Sequence, residues 1–341
     1  MINRTDGRIA VLGANGQVGG DVMLLLRTMG VSAWGAARSS RGSAFLRLNG
    51  IETRHGDPAE PEAATRLMAD ATVIANLALA IGTPAEMREG NEAIIRTTME
   101  QMPPTATYVF FSTQVANPTC RPEDQPARLS DYGREKRRNE RQVARLADKL
   151  GRRFLVVRLG HFTGPLQGLS RNIGQAVRTG PIQLPALDRL ANVTDSRSIA
   201  EMLAAIAHGA PIGNSGPLDL ADPHPRTWRD VLDAEAARQG VTLQIEQSGV
   251  APPVRQSIGQ RTIGWVGRSQ RAKAIGTRLL AALSSDWNLR AKALHSIGET
   301  GAEIAQLERP NLIEATLYPG GTGPSLDWSK LKPFIESELT A

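Results

Sequence analysis

In Arg8-Ile-Ala-Val-Leu-Gly-Ala-Asn-Gly-Gln-Val-Gly-Gly20, the apolar Ile9, Val11 and Leu12 spell a short buried strand, and Val22, Leu24, Leu25 and Leu26 open an apolar helix just after it. Between the two, Gly13, Gly16 and Gly19 recur at three-residue spacing. A strand that turns through glycines into a helix aims that helix's free N–H groups and positive dipole end at one spot. A dinucleotide pyrophosphate is the usual occupant of such a spot. Gly13 permits the tight turn, Gly16 lets backbone approach phosphate, and Gly19 lets the helix pack against the strand. The expected cradle runs from Gly13 through Asn15, Gly16, Gln17 and Val18 to Gly19. Its spacing, G-x-x-G-x-x-G, differs from the G-x-G-x-x-G of most two-domain dehydrogenases. A Gly-rich βα turn that holds no ligand is the plain alternative.

Outward from this turn, strand-like and helix-like stretches alternate. Strands are expected at residues 31–37, 51–54, 72–78, 107–111 and 154–159. Helices are expected at 43–49, from Pro58 or Pro61 to 68, at 84–102 before Pro103-Pro104, and at 130–150 after a loop with Pro118, Pro122 and Pro126. The apolar run Thr72-Val-Ile-Ala-Asn-Leu-Ala78 suits a sheet covered on both faces. Residues 160–191 are rich in Gly and Pro, with one short helical stretch. A helix at 196–208 follows Asn192-Val-Thr-Asp195, a strand at 218–220 returns to the sheet, and a helix at 227–239 takes Thr227 as its cap. A strand at 241–245 and helices at 270–297 and 328–339 complete the chain. The pattern predicts an α/β fold, a doubly wound parallel sheet whose ligands lie beyond the carboxyl ends of its strands. Gly13, Arg38, Asp57, Leu77, Ala78, Ser112 and His161 all fall there.

Composition narrows the chemistry. With 341 residues, 41% of them hydrophobic, the chain can bury one large or two modest cores. No apolar run approaches the ~18 residues that span a bilayer, and Met1-Ile-Asn-Arg leads almost directly into the first strand, so a cytoplasmic protein with no membrane partner is expected. Cys120 is the lone cysteine, and His55, His161, His208, His224 and His295 lack ligand spacing, so neither a disulfide nor a metal is expected. The net charge of +6 is spread along the chain except in Arg134-Glu-Lys-Arg-Arg-Asn-Glu-Arg141. On a helix, Arg134, Arg137, Arg138, Arg141 and Arg145 form one stripe, while Tyr132, Lys136, Val143 and Ala147 lie on another face. The basic stripe reads as a solvated face or subunit contact. No aromatics interleave with it, so no nucleic-acid partner is expected.

Tyr132-Gly-Arg-Glu-Lys136 is the second informative motif. Four residues apart on a helix, Tyr132 and Lys136 share a face. An ammonium beside a phenol stabilises phenolate, lowers the tyrosine pKa and makes it a usable acid/base near neutral pH. The pair follows the fifth strand, shortly after Ser112, whose hydroxyl can bond a substrate carbonyl oxygen while Tyr132 exchanges its proton. An exposed tyrosine with a surface lysine is the bland reading.

Together, Gly13-Ala-Asn-Gly-Gln-Val-Gly19, Ser112 and Tyr132-Gly-Arg-Glu-Lys136 resemble the extended short-chain dehydrogenases/reductases, the epimerase/dehydratase-type branch. Val73-Ile-Ala-Asn-Leu-Ala78 looks like that branch's fourth strand, with Leu77 and Ala78 at its cofactor-lining end. Asn91 with Thr97 resembles its N-x-x-G-T helix without the glycine. Val156-Val-Arg-Leu-Gly-His-Phe-Thr-Gly-Pro165 resembles its sixth strand and G-P turn, and Val193-Thr-Asp195 its V-H-V-D-D segment. The likeness covers about residues 8–205. It implies a doubly wound parallel Rossmann sheet in residues 1–160, to which 192–222 return, and a smaller, mostly helical C-terminal substrate domain in 161–191 and 223–341. It also implies nicotinamide chemistry. Tyr132 would be the acid/base, Lys136 would tune it and hold the nicotinamide ribose, Ser112 would polarise the reacting oxygen, and Asn91 would complete a proton relay. His161 would touch substrate. Three departures matter. Ala116-Asn117 replaces the usual aromatic-Gly, Thr113-Gln114 lacks the acidic pair of a dehydratase, and no R-P-G-D-like element for a nucleotide diphosphate is evident.

The end of the second strand chooses the cofactor, since a carboxylate there suits the ribose of NAD and an arginine the 2′-phosphate of NADP. Residues 34–41 hold no acid and offer Arg38, Ser39, Ser40 and Arg41, so NADP(H) is expected over NAD(H). Asp57 accepts from the adenine amino group, or merely caps a helix. The expected function is NADP(H)-dependent oxidoreduction of a carbonyl or hydroxyl on a small polar or sugar-like substrate, with a homodimer allowed. The alternatives are a (nucleotide-)sugar epimerase with tightly held cofactor, a non-catalytic NADP-binding sensor, and an interaction protein that uses its basic helix face.

Overall fold

Four buried residues, Ile9–Leu12, form β1, and a strand with no solvent face belongs in the middle of a covered sheet. On one side β1 pairs in parallel with β2 (Ala33–Ala37), Ile9 opposite Ala33; on the other it pairs with β4 (Val73–Asn76), Ile9 opposite Val73. Outside β2 lies β3 (Thr53–His55). Outside β4 come β5 (Thr107–Thr113), β6 (Arg153–Leu159) and β9 (Leu218–Leu220). The order is β3-β2-β1-β4-β5-β6-β9, and every pairing is parallel. The chain leaves β1 toward β2 and later returns to its other side at β4. The crevice beyond the carboxyl end of β1 is therefore a topological switch point. This computed structural model describes residues 7–80, 84–117, 131–164, 166–182, 187–212, 217–220 and 226–246.

Alternation along the strands divides the core in two. Ile9, Val11, Val109 and Phe111 pack against α1 (Gln17–Thr28), α2 (Ala44–Leu48) and α7 (Ser196–Ala207). Ala10, Leu12, Tyr108 and Phe110 point the other way, against α3 (Pro61–Met68), α4 (Pro84–Gln101) and α5 (Asp131–Leu150). Helices on both faces of a parallel sheet are what the alternating pattern predicts. α5 divides in part as predicted: Lys136, Val143 and Ala147 are buried and Arg134, Arg141 and Arg145 exposed, but Tyr132 is exposed and Arg137 and Arg138 are half-buried.

The second half departs further from expectation. The stretch expected to be irregular contains β7 (His161–Thr163) and α6 (Gly168–Thr179), and β7 pairs in parallel with β8 (Val193–Asp195). β8 leads into α7, with Asp195 as its N-cap. α6 packs against α8 (Trp228–Gln239) over a small core of Val177, Ile182, Leu232 and Ala236. α8 begins in a reciprocal capping box between Thr227 and Asp230 and ends at Gly240 in the left-handed conformation. The strand expected at 241–245 shrinks to one bridge, Ile182 to Ile245. The expected helices at 270–297 and 328–339, the loop holding Pro118, Cys120, Pro122 and Pro126, and His224 and His295 lie outside the described residues. Among the described residues no helix is long and apolar enough to cross a membrane.

Candidate functional site

Gly13 follows β1 at φ +75, and a Cβ there would lie 2.7 Å from Ala78 Cα and N. Only glycine satisfies both the turn and the approach to the end of β4. A Cβ on Gly19 would lie 2.3 Å from Gly13 O, so α1 closes onto the turn. Gly16 is exposed, stands at the N-cap of α1 without a side-chain cap, and donates to Gly13 O at 3.0 Å. The first turn of α1 holds no acid. Uncapped N–H groups, a positive helix end and open backbone at Gly16 fit a pyrophosphate. Asn15 and Val18 are half-buried beside them. Gln17 has a structural tie as well, because its Oε1 accepts from Gly168 N, the first residue of α6, at 3.3 Å. One turn on, buried Asp21 accepts from Leu166 N at 3.1 Å and Gln167 Nε2 at 2.6 Å. α1 thus holds the start of α6 beside the glycine turn.

Asn76, at the end of β4, shapes the wall of the turn. Its Oδ1 accepts from Ala78 N at 3.1 Å and its Nδ2 bonds the Tyr108 hydroxyl at 2.6 Å. Thr98 Oγ1 meets the same hydroxyl at 2.9 Å. Burial pushes the Tyr108 phenol up to about 12, so this network stays neutral. It fixes Leu77 and Ala78, both half-buried, at the strand end.

Beyond β2, Arg38, Ser39 and Ser40 are exposed. Gly56 N donates to Ala37 O at 3.0 Å, which joins the ends of β2 and β3 and brings Arg38 and Asp57 to neighbouring chain ends. Arg47 of α2 bonds back to Ser40 O at 3.1 Å, a further cation at this edge that the sequence pattern does not single out. Asp57 is exposed, and its Oδ1 accepts from Ala59 N at 2.9 Å. It closes the turn before α3, whose N-cap is Glu60, so Asp57 is not the helix cap that the alternative anticipated.

Tyr132, Lys136 and Glu140 follow one another at four-residue steps along α5. Tyr132 is 42% exposed, whereas Lys136 is 6% exposed. Lys136 Nζ donates to Phe111 O at 2.9 Å and lies 5.0 Å from the Phe110 ring centroid. Burial lowers the Lys136 ammonium to about 8, opposed by the charges of Glu140 and Glu135. The expected lowering of the tyrosine by its lysine is not what the geometry produces. Partial burial of the ring pushes the Tyr132 phenol up, while the ammonium is turned to the β5 backbone.

Ser112 also departs from expectation. It is 4% exposed, and its Oγ donates to Glu140 Oε1 at 2.5 Å. A carboxylate only accepts, so the serine's one hydrogen is committed to Glu140 rather than to a substrate oxygen. Arg158 completes the group, Nε to Glu140 Oε1 at 2.8 Å and its terminal nitrogen to Oε2 at 2.7 Å. Ser112 stands opposite Arg158 in the β5–β6 register. The sequence pattern singles out neither Glu140 nor Arg158; the available signals are that one lies four residues past Lys136 and that the other is a charge within the otherwise apolar Phe154–Leu159.

Asn91 is 3% exposed, accepts from Ala80 N at 2.9 Å and donates to Met87 O at 2.6 Å. Both arms of its amide serve backbone, which makes it a clamp between the β4 loop and α4 rather than a relay to Tyr132. His161 is exposed at the start of β7, its ring edge-on to Trp228 of α8 at 5.1 Å. Partial burial lowers its pKa, so the ring is neutral at pH 7. Gln114 Oε1 lies 3.2 Å from where a Cβ on Gly160 would stand, so the end of β5 and the residue before His161 meet.

The family described as NAD dependent epimerase/dehydratase matches residues 9–180 of this chain. No curated protein matches it. Among solved structures, the UDP-glucose 4-epimerase of Thermus thermophilus in complex with NAD is 19% identical with a TM-score of 0.54, covering 76% of this chain and 93% of that one. The UDP-glucuronic acid 4-epimerase of Bacillus cereus in complex with UDP-glucuronic acid and NAD is 15% identical at a TM-score of 0.55, over 72% and 87%. A short-chain dehydrogenase/reductase superfamily protein from Agrobacterium tumefaciens with bound NAD is 19% identical at 0.51, over 70% and 85%. At such identities the likeness is one of fold. The family match, by contrast, runs from β1 through the last residue of α6, and on that evidence the chain belongs to the NAD dependent epimerase/dehydratase family.

Proposed function

We propose that the chain is a nicotinamide-dependent oxidoreductase acting on a carbonyl or hydroxyl of a small polar or sugar-like substrate, with Tyr132 as acid/base. One observation carries this: a buried ammonium, Lys136, stands one helical turn from a half-exposed tyrosine in a family fold whose glycine turn fits a pyrophosphate. Bound there, the nicotinamide would supply the hydride donor or acceptor. The backbone around Gly13, Gly16 and Gln17 would hold the diphosphate, and Lys136 the adjoining ribose. A phenol held above its ordinary value is protonated at neutral pH, so Tyr132 begins as a proton donor. Donating to an alkoxide oxygen is the direction of net reduction. His161, edge-on to Trp228, would contact substrate as a neutral ring. Leu77 and Ala78 would line the cofactor.

Arg38 supports NADP(H), since residues 34–41 at the end of β2 include no acid to accept a ribose hydroxyl. NAD is the nucleotide named with the solved structures above. Fluorescence titration of the wild type should show NADPH binding at least tenfold tighter than NADH, about 1.4 kcal/mol. Arg38→Glu should reverse the preference, and equal affinities would refute it. The second reading, a sugar epimerase, draws on the family's name and on the UDP-sugar epimerases that share the fold. Purification without added nucleotide separates the two. A reductase releases its cofactor at each cycle, so little should co-purify. Stoichiometric, non-exchanging nicotinamide would favour the epimerase.

A further inference from the structure

Beneath the Tyr132–Lys136 pair lies a charged group that the chemistry above does not use. Glu140 is 6% exposed and accepts three hydrogen bonds, two from Arg158 and one from Ser112. The bidentate arginine balances its charge in a site that is largely closed to water. Glu140 also follows Lys136 by four residues and so occupies the same face of α5. Lys136 keeps one bond in exchange for its hydration, to Phe111 O at 2.9 Å. A carbonyl dipole alone compensates a buried ammonium poorly.

On the footing of the cofactor role just proposed for Lys136, we propose that Glu140 is a positioning residue for the site: its carboxylate, held by Arg158, keeps the neighbouring Lys136 charged and fixes the Ser112 hydroxyl near the end of β5. On its own helix Lys136 has Tyr132, Glu135 and Glu140 for neighbours, and Arg158 reaches the group from β6 through Glu140. β5 adds no charged side chain. α4, packed on α5, carries Arg88 and Glu89 on its exposed surface and half-buried Glu92. Of these, Glu140 is the stronger influence holding the proton on Lys136, with Glu135 second. Glu135, itself 5% exposed, is paired with the half-buried Arg138 at 2.5 Å. Replacing Glu140 by a neutral amide removes the main attraction on the Lys136 ammonium. Lys136 then loses its proton at lower pH, and its hold on a ribose weakens from that pH upward.

The test is nucleotide affinity of the full chain, titrated with NADP⁺ and with NAD⁺ from pH 6 to 9.5. Wild-type affinity should decline with a midpoint near 8, where Lys136 titrates. Glu140→Gln should match the wild type at pH 6 and bind about fivefold weaker at pH 8, its midpoint lower by about one pH unit. Glu140→Asp keeps the charge and should restore the wild-type profile even though the shorter arm loses Ser112. If Glu140→Gln fails to fold, the double variant Glu140→Gln/Arg158→Gln replaces it, and its midpoint should still fall below the wild-type value. Lys136→Met should bind weakly and without pH dependence over this range. Should Lys136→Met bind like the wild type, the cofactor role of Lys136 fails and the proposal with it. Weak binding by Lys136→Met together with an unshifted profile for the neutral Glu140 variant, or with an Asp variant as impaired as the Gln one, overturns the role of Glu140 alone.

Discussion

A methyl group on Gly13 would meet the backbone of Ala78 at 2.7 Å while the residue is held at φ +75. The left-handed conformation costs an L-residue about 1–2 kcal/mol and a forced backbone shift about as much again, so Gly13→Ala should lose about 3 kcal/mol of stability in urea titration. Gly16 is the contrasting case. Its φ is −75, and an added Cβ would approach only Gly13 O, at 3.2 Å. Gly16→Ala should therefore change stability by less than about 1 kcal/mol yet weaken nucleotide binding, because the methyl occupies the open side of the turn. Equal losses of stability in the two variants would show that the turn is merely structural. Tyr132→Phe removes one oxygen at a half-exposed site. Turnover should fall at least a hundredfold with nucleotide affinity nearly unchanged, as steady-state kinetics and titration would show. A phenylalanine variant with near-normal turnover places the acid/base elsewhere.

Among the elements, α1 serves both the glycine turn and the start of α6. Asp21→Ala would leave Leu166 N and the Gln167 amide without their acceptor in a dry site, a cost of about 2–4 kcal/mol. Amide exchange should quicken at 166–170 well before it does in β1. Uniform protection across α6 in the variant would mean that Asp21 is not the anchor. The long helices and β1, β4 and β5 were readable because each carries enough residues to show a period or an apolar run, and Pro103-Pro104 marks a stop. β7 and β8 were not. Each has three residues, and their pairing, His161 opposite Val193, joins segments about thirty residues apart. The site divides in the same way. Tyr132 and Lys136 share a face by spacing alone, whereas the Ser112–Glu140–Arg158 group exists only once β5 and β6 are in register. Asn91 misled for a related reason: a polar residue placed like a relay member is here taken up by local backbone.

Among the described residues the sheet lies between two helical layers, and two titratable groups buried there contribute to the response to alkali. Lys136 titrates at about 8 when folded against 10.5 ordinarily, so between these values the unfolded chain binds more protons and stability rises with pH. Below pH 8 the cost of the buried ammonium is felt in full, about 3 kcal/mol. Tyr108 acts oppositely. Its phenol is held at about 12 against 10.0, a contribution fully present below pH 10 and lost as pH rises toward 12. The net charge of +6 declines over the same range and relieves self-repulsion, so a rise in stability of the wild type alone would be ambiguous. Lys136→Met supplies the reference, since it shares that background and lacks the titrating group. From pH 7.5 to 10, the wild type should gain about 2–3 kcal/mol relative to this variant in urea unfolding. Parallel stability curves for the two proteins would mean that Lys136 is not held as a buried ammonium, and the positioning assigned to Glu140 would lose its object.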